Sequence, residues 1–145
     1  LQLGGLLLIL ASGFDALDGS LARQLGKPTK FGAFLDSCMD RVSESAVLLG
    51  IAWWYMGQAG LSQELLAYVA LFGATMVSYT RARAEGIGVE CKGGLFTRVE
   101  RAILIIAGLV TGLVTPMLWI LAVGTVGTAI YRMVSVYRAS RNQSL

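Results

Sequence analysis

Five long apolar segments restrict the fold of this 145-residue chain more than any other feature of its sequence. A helix needs about 20 mostly apolar residues to cross a bilayer, and each segment has close to that length. The segments are continuous rather than alternating, which excludes the short strands of a membrane β-barrel. They lie at about residues 1–22, 32–56, 62–82, 97–115 and 117–138. The sequence therefore predicts an all-α integral membrane protein with five visible transmembrane helices.

Composition supports a membrane protein, because only 14% of the residues are charged, whereas soluble domains carry about 25%. Short breaks rich in glycine, proline or polar residues separate the segments. These breaks are Gly26–Pro28, Gly57–Gly60, Glu85–Gly94 and Thr115–Pro116. We expect residues 1–145 to form a single transmembrane domain. Since the chain begins inside an apolar run, we also expect that it lacks the first helix of a longer protein.

The basic residues predict how the segments are oriented. All twelve lysine and arginine residues lie at the same ends of the apolar segments, and the Gly57–Gly60 and Thr115–Pro116 breaks have none. By the positive-inside rule, the basic ends are cytoplasmic. Tryptophans lie at the opposite ends, as in an aromatic belt. The basic residues flank membrane segments and form no soluble basic face, which argues against nucleic-acid binding.

Composition alone argues against zinc sites and histidine-based catalysis in this chain. There is no histidine, and Cys38 and Cys91 lie in different segments without metal-type spacing. We expect both cysteines to be unpaired.

Four aspartates near one membrane face are the strongest chemical signal in the sequence. Asp15 and Asp18 are three residues apart and share a helix face, and Gly32, Asp36 and Asp40 are spaced by four and share another. A short loop joins the two helices, so we expect them to be adjacent and antiparallel. The four carboxylates should therefore converge at the cytoplasmic interface.

Four converging carboxylates repel one another unless a cation binds between them. All the candidate ligands are hard oxygens, which favours Mg²⁺, Mn²⁺ or Ca²⁺. Four carboxylates can hold two ions, and a two-ion site is typical of phosphoryl transfer. The small residues Gly19, Ala22 and Gly32 serve either close helix packing or the approach of a phosphate. Arg23 is either a membrane anchor or a phosphate ligand.

The full spacing is Asp15-x2-Asp18-Gly19-x2-Ala22-Arg23-x8-Gly32-x3-Asp36-x3-Asp40. It resembles, without a gap, the signature of the CDP-alcohol phosphotransferase family. The resemblance implies a membrane enzyme, usually of six transmembrane helices and often a homodimer, that moves a phosphatidyl or similar group from a CDP-alcohol to an acceptor hydroxyl and releases CMP. It further implies that the four aspartates bind two divalent cations, Mg²⁺ or Mn²⁺, and that Asp40 is also the general base. The nucleotide would lie against Gly19, Ala22, Arg23 and Gly32.

Other stretches resemble the phosphatidylinositol-phosphate synthases of that family. They are Asp36–Glu44, Ser78–Glu90, Phe96–Arg101 and Tyr131–Arg132. This resemblance implies CDP-diacylglycerol as donor, inositol 1-phosphate as acceptor, and an acceptor phosphate held by Arg81, Arg98, Arg101 and Arg132. Taken alone, Arg81, Arg101 and Arg132 are more simply interpreted as cytoplasmic anchors of their helices. Val99 departs from the related sequences, which often have proline there.

Several alternatives stay open on the sequence. The acceptor could be glycerol 3-phosphate or another polyol phosphate, and the donor could be built on archaeol. A divalent-cation transport protein would also need membrane carboxylates, although these lie at one face rather than at the midplane. Under the transferase interpretation, the protein is a multi-pass enzyme of phospholipid biosynthesis in the cell membrane, with its active site at the cytoplasmic face.

Two further features of the sequence are a carboxylate within an apolar segment and a pair of glycines in another. Glu44, one turn beyond Asp40, is either functional or paired with an arginine such as Arg41 or Arg132. Gly108 and Gly112 form a GxxxG pattern, for which we expect helix packing within one chain.

Overall fold

The computed structural model of the chain describes residues 29–56, 61–91 and 93–143. The regular structure in these ranges consists of four α-helices, which agrees with the all-α prediction. They are α1 (Lys30–Tyr55), α2 (Leu61–Gly86), α3 (Arg98–Thr111) and α4 (Val114–Gln143). The first predicted segment, 1–22, lies outside the described residues.

Two of the four helices are long and apolar enough to cross a membrane. These stretches are Ser62–Gly86, with a mean hydropathy of 1.2, and Val114–Arg141, with 1.6. Helix α3 has 14 residues, which corresponds to about 21 Å and is shorter than a hydrocarbon core of about 30 Å. The described residues therefore fit a membrane protein, and the count of five transmembrane helices stays a prediction.

The break predicted at Thr115–Pro116 is displaced in the structure. Helix α3 ends at Thr111, Gly112 caps it in the left-handed conformation with φ 78°, and α4 already begins at Val114. Pro116 therefore lies in the first turn of α4. Proline is tolerated there because its missing N–H would have no partner within the helix.

A hydrophobic core gathers at one end of the four helices. It is built from the C-terminal half of α1, the N-terminal half of α2, the C-terminal half of α3 and the N-terminal half of α4. Its buried members are Leu48, Ile51, Ala52, Leu66, Ala67, Ala70, Ile105, Leu109, Val114, Met117, Leu118, Leu121 and Ala122. Successive helices therefore alternate in direction. The charged starts of α1 and α3 and the charged ends of α2 and α4 meet at the other end.

Small residues bring the helices close enough to form this core. A Cβ on Gly73 of α2 would lie 2.1 Å from Oγ1 of Thr125 on α4, and one on Gly108 of α3 would lie 2.4 Å from Sδ of Met117. Glycine at a helix crossing permits such an approach of backbones. Gly108 thus packs within the chain, as we expected of the GxxxG pattern, while Gly112 terminates α3.

The two cysteines form no disulfide. Cys91 is buried in the connection between α2 and α3, and Cys38 is partly buried on α1. This confirms the prediction that both are unpaired.

The crossing of α2 and α4 gives a first testable prediction. Gly73→Ala should lower the free energy of unfolding by about 1–3 kcal/mol, because the new methyl group overlaps Thr125 and must displace the helix backbone. Thermal unfolding in detergent micelles would measure the loss as a lower Tm. Gly50→Ala is the matched control, since a Cβ at this α1 position meets nothing within 4 Å. Equal Tm values for the two variants would contradict the packing described here.

Candidate active site

An acidic stripe runs along the first half of α1. It consists of Asp36, Asp40 and Glu44, which follow one another at intervals of four residues and so share a helix face. Thr29 caps the start of this helix, where its Oγ1 accepts a hydrogen bond of 3.0 Å from the Gly32 N–H. Asp36 is exposed, whereas the Asp40 and Glu44 side chains are only 13% and 16% exposed. The stripe therefore passes from solvent at the helix start into the protein.

The first turn of α3 faces this stripe with two arginines. Arg98 forms an ion pair with Asp40. Arg101 binds Glu44 in a bidentate manner, with Nε donating to Oε1 at 2.6 Å and Nη2 donating to Oε2 at 2.8 Å. The Arg101 side chain is 3% exposed, and the Glu44 carboxylate neutralises its charge inside the protein. The two ion pairs therefore link α1 to α3 at positions about one helical turn apart.

The partner of Glu44 corrects the candidates named from the sequence. Arg41 donates to the Ser37 carbonyl on its own helix, and Arg132 binds two backbone carbonyls. Arg101 pairs with Glu44 instead, although 57 residues separate them in sequence. The sequence could not show this pairing because it depends on how α1 and α3 are rotated relative to each other.

Arg132 of α4 holds the segment before α3 in place. Its Nε donates to the Gly93 carbonyl at 2.8 Å, and its Nη1 donates to the Val77 carbonyl on α2 at 2.6 Å. A Cβ on Gly94 would lie 3.2 Å from the Arg132 Nε, and this glycine has φ 120°. The Gly93–Gly94 pair, which sequence reasoning did not single out, is thus required for the close passage of this segment over α4.

Three arginines from three helices lie at the charged end of the bundle. Arg81 at the end of α2 and Arg101 of α3 both lie close enough to Arg132 for their charges to act on it. Arg81 is 54% exposed and pairs with Glu85 through a 2.9 Å contact between Nε and Oε1. Arg98, in contrast, is turned toward Asp40. Of the four predicted phosphate ligands, Arg81 and Arg98 are exposed and Arg101 and Arg132 are buried.

The predicted metal site is only partly within the described residues. Asp36 and Asp40 lie one turn apart and offer hard oxygen ligands of the kind that Mg²⁺ and Mn²⁺ prefer. Over residues 29–56, 61–91 and 93–143, no three acidic, cysteine or histidine side chains meet as a metal site. The predicted ligands Asp15 and Asp18, and the predicted nucleotide contacts Gly19, Ala22 and Arg23, lie outside these ranges. Asp36 and Asp40, two of the four predicted cation ligands, thus have side chains of the type that such a site needs.

Comparison with known proteins gives consistent relatives. The sequence profile of one family, described as CDP-alcohol phosphatidyltransferase, matches residues 1–135. The archaetidylinositol phosphate synthase of Methanothermobacter thermautotrophicus is 42% identical over 141 residues, which cover 92% of this chain and 70% of the relative. The phosphatidylinositol phosphate synthase of Mycobacteroides abscessus is 38% identical over 141 residues, which cover 92% of this chain and 64% of the relative.

Solved structures agree with these sequence relatives. The phosphatidylinositol phosphate synthase of Mycobacterium tuberculosis with CDP-DAG bound matches with a TM-score of 0.87 at 32% identity, over 94% of this chain and 73% of that one. The same enzyme in complex with manganese and citrate matches with a TM-score of 0.88, over 94% of this chain and 70% of that one.

The buried arginine of α4 gives a second prediction. Arg132→Ala should lower the free energy of unfolding by about 1–3 kcal/mol, because the Gly93 carbonyl loses its buried donor. Thermal unfolding in detergent would show this as a lower Tm. Arg138→Ala on the same helix removes an exposed arginine and should leave Tm within about 1 °C of the parent protein. A Tm for Arg132→Ala that matched this control would mean that Arg132 does not hold the segment.

Proposed function

The chain belongs to the CDP-alcohol phosphatidyltransferase family, and we propose that it transfers the phosphatidyl group of CDP-diacylglycerol to a hydroxyl of inositol 1-phosphate and releases CMP. The observation that carries this proposal is the pairing, at one end of the bundle, of the acidic stripe of α1 with Arg98 and Arg101 of α3. Such a site combines carboxylates that can bind cations with arginines that can bind the phosphate of the acceptor. The family match favours a transferase over the alternative of divalent-cation transport.

The donor is proposed to bind at the carboxylates. Asp36 and Asp40, completed by Asp15 and Asp18, would hold two divalent cations, Mg²⁺ or Mn²⁺. When bound, the cations supply positive charge to the pyrophosphate and to the attacking and leaving oxygens. The manganese complex of the relative from M. tuberculosis supports the use of a divalent cation. Gly19, Ala22, Arg23 and Gly32 are proposed to contact the nucleotide.

Asp40 is proposed to be the general base. It accepts the proton of the acceptor hydroxyl, whose oxygen then forms a bond to the lipid-side phosphorus of the donor. The bond from that phosphorus to the CMP oxygen breaks, and CMP leaves. Asp40 is suited to this position because its carboxylate is only 13% exposed and is held between α1 and α3 by Arg98. A general base must be held within hydrogen-bond reach of the proton that it takes.

The acceptor phosphate is proposed to lie against the arginines at this end of the bundle. A guanidinium has five N–H donors. The bonds to Glu44 and Phe96 use three of those of Arg101, and those to Gly93 and Val77 use two of those of Arg132. Both side chains therefore retain N–H donors, and Arg132, which binds two neutral carbonyls, also retains its charge. Arg81 can turn from Glu85 at little cost, since an exposed ion pair contributes about 0–1 kcal/mol, and Arg98 lies at the edge nearest the base.

The names of the relatives support inositol phosphate over other acceptors. One is called a phosphatidylinositol phosphate synthase and another an archaetidylinositol phosphate synthase. They differ in the lipid half of the donor, and for this chain we propose the diacylglycerol form. The remaining proposals follow the family resemblance and the charge asymmetry: a six-helix fold, a homodimer, and an active site at the cytoplasmic face of the cell membrane.

An assay of CMP release by the full-length protein tests this function. We expect release from CDP-diacylglycerol with inositol 1-phosphate, little with glycerol 3-phosphate or free inositol, and none in EDTA until Mg²⁺ or Mn²⁺ is restored. Asp40→Asn should lower kcat by about 10²–10⁴-fold, the usual contribution of a positioned general base. Release with glycerol 3-phosphate instead would contradict the proposed acceptor and leave the family assignment in place.

The arginine cluster gives a separate kinetic prediction. Arg81→Ala should raise KM for inositol 1-phosphate by about 10- to 100-fold, because a hydrogen bond to a charged group contributes about 1.5–3 kcal/mol. KM for CDP-diacylglycerol should stay nearly constant. Arg83→Ala, which removes an exposed arginine two residues further along α2, is the matched control. If both variants had the same KM for the acceptor, Arg81 would be a membrane anchor.

A further inference from the structure

Glu44 is a carboxylate of the acidic stripe that the proposed transfer does not use. Both of its oxygens accept hydrogen bonds from Arg101, at 2.6 and 2.8 Å, and its side chain is 16% exposed. With both oxygens occupied by a guanidinium, Glu44 is poorly placed to bind a cation. Its function must therefore act through Arg101.

Arg101 connects Glu44 to the point where α3 begins. The third nitrogen of its guanidinium, Nη1, donates to the Phe96 carbonyl at 2.9 Å. Phe96 is in turn held from the other side, since a Cβ on Gly124 of α4 would lie 2.4 Å from its ring. The start of α3 is thus fixed between α1 and α4, and the Glu44 carboxylate anchors the α1 side.

The first turn of α3 carries the residue that contacts the proposed base. Arg98 lies three residues before Arg101 and therefore on the same helix face. Its partner Asp40 lies about one turn before Glu44 on α1. A rotation of this turn that broke the Glu44–Arg101 pair would also displace the Asp40–Arg98 pair. The Glu44–Arg101 pair is the more rigid of the two, because the Arg101 side chain is 3% exposed whereas that of Arg98 is 56% exposed.

We propose that Glu44 is a positioning residue for the transfer, which sets the orientation of Arg101 and, through the first turn of α3, that of Arg98 beside Asp40. This inference rests on the proposed function. It assigns Glu44 neither to the cation site nor to the substrate, but to the geometry of the arginine side of the site.

Steady-state kinetics of the full-length protein test this role with two variants of different character. Glu44→Gln keeps the shape of the side chain and removes its charge, whereas Glu44→Asp keeps the charge and shortens the reach to Arg101. For Glu44→Gln we expect KM for inositol 1-phosphate to rise and kcat to fall, each by about 10- to 100-fold, as for a misplacement near 1 Å. KM for CDP-diacylglycerol should change less than about twofold. Glu44→Asp should show the same pattern with a smaller effect.

Controls separate positioning from loss of structure and from failure of the function itself. Assays well below the Tm of each variant remove the contribution of unfolding, and Glu64→Gln, at the far end of α2, should leave both KM values unchanged. Equal losses with both substrates, or wild-type kinetics in Glu44→Asp when Glu44→Gln does not fold, would overturn the proposal. Absence of CMP release in the wild-type protein would instead refute the proposed function, and the positioning role with it.

Discussion

The bidentate ion pair between Glu44 and Arg101 is the contact on which the charged end of this bundle depends. A single charge buried among apolar helices is costly, whereas a carboxylate and a guanidinium that satisfy each other's donors and acceptors can be accommodated. Together with the Asp40–Arg98 pair, the Glu44–Arg101 pair joins α1 and α3 at this end, while core side chains of both helices pack at the opposite end. It therefore fixes the distance between the acidic stripe of α1 and the start of α3, where the candidate chemistry lies.

The rest of the architecture divides the bundle into two ends with different physical roles. Glycine and alanine at the helix crossings let α2, α3 and α4 approach closely around the core, and this end has no ion pairs among the described residues. At the other end the helices are held by polar contacts, with Arg132 binding carbonyls of α2 and of the segment before α3. Apolar packing thus holds the helices together at one end, and charged and polar contacts hold them at the other.

The arginines illustrate how one residue type serves two purposes in the same site. Arg101 and Arg132 are buried and use part of their hydrogen-bonding capacity to shape the protein, whereas Arg81 and Arg98 remain exposed. The interpretation of these residues as simple membrane anchors does not describe the buried two, whose partners are specific carboxylate and carbonyl oxygens. In the proposed function, the remaining N–H donors of these two arginines would bind the acceptor phosphate.

The helical class, the approximate helix positions, the spacing of the aspartates and the family could all be predicted from the sequence alone. These features depend on periodicity within one helix or on residues close in the chain. The tertiary structure was needed to show that Glu44 pairs with Arg101 rather than Arg41 or Arg132, that Gly93 and Gly94 pass over Arg132, and that Pro116 lies in the first turn of a helix instead of separating two. Each of these depends on the relative rotation and approach of helices that are distant in sequence, and side-chain periodicity along one helix does not contain that information.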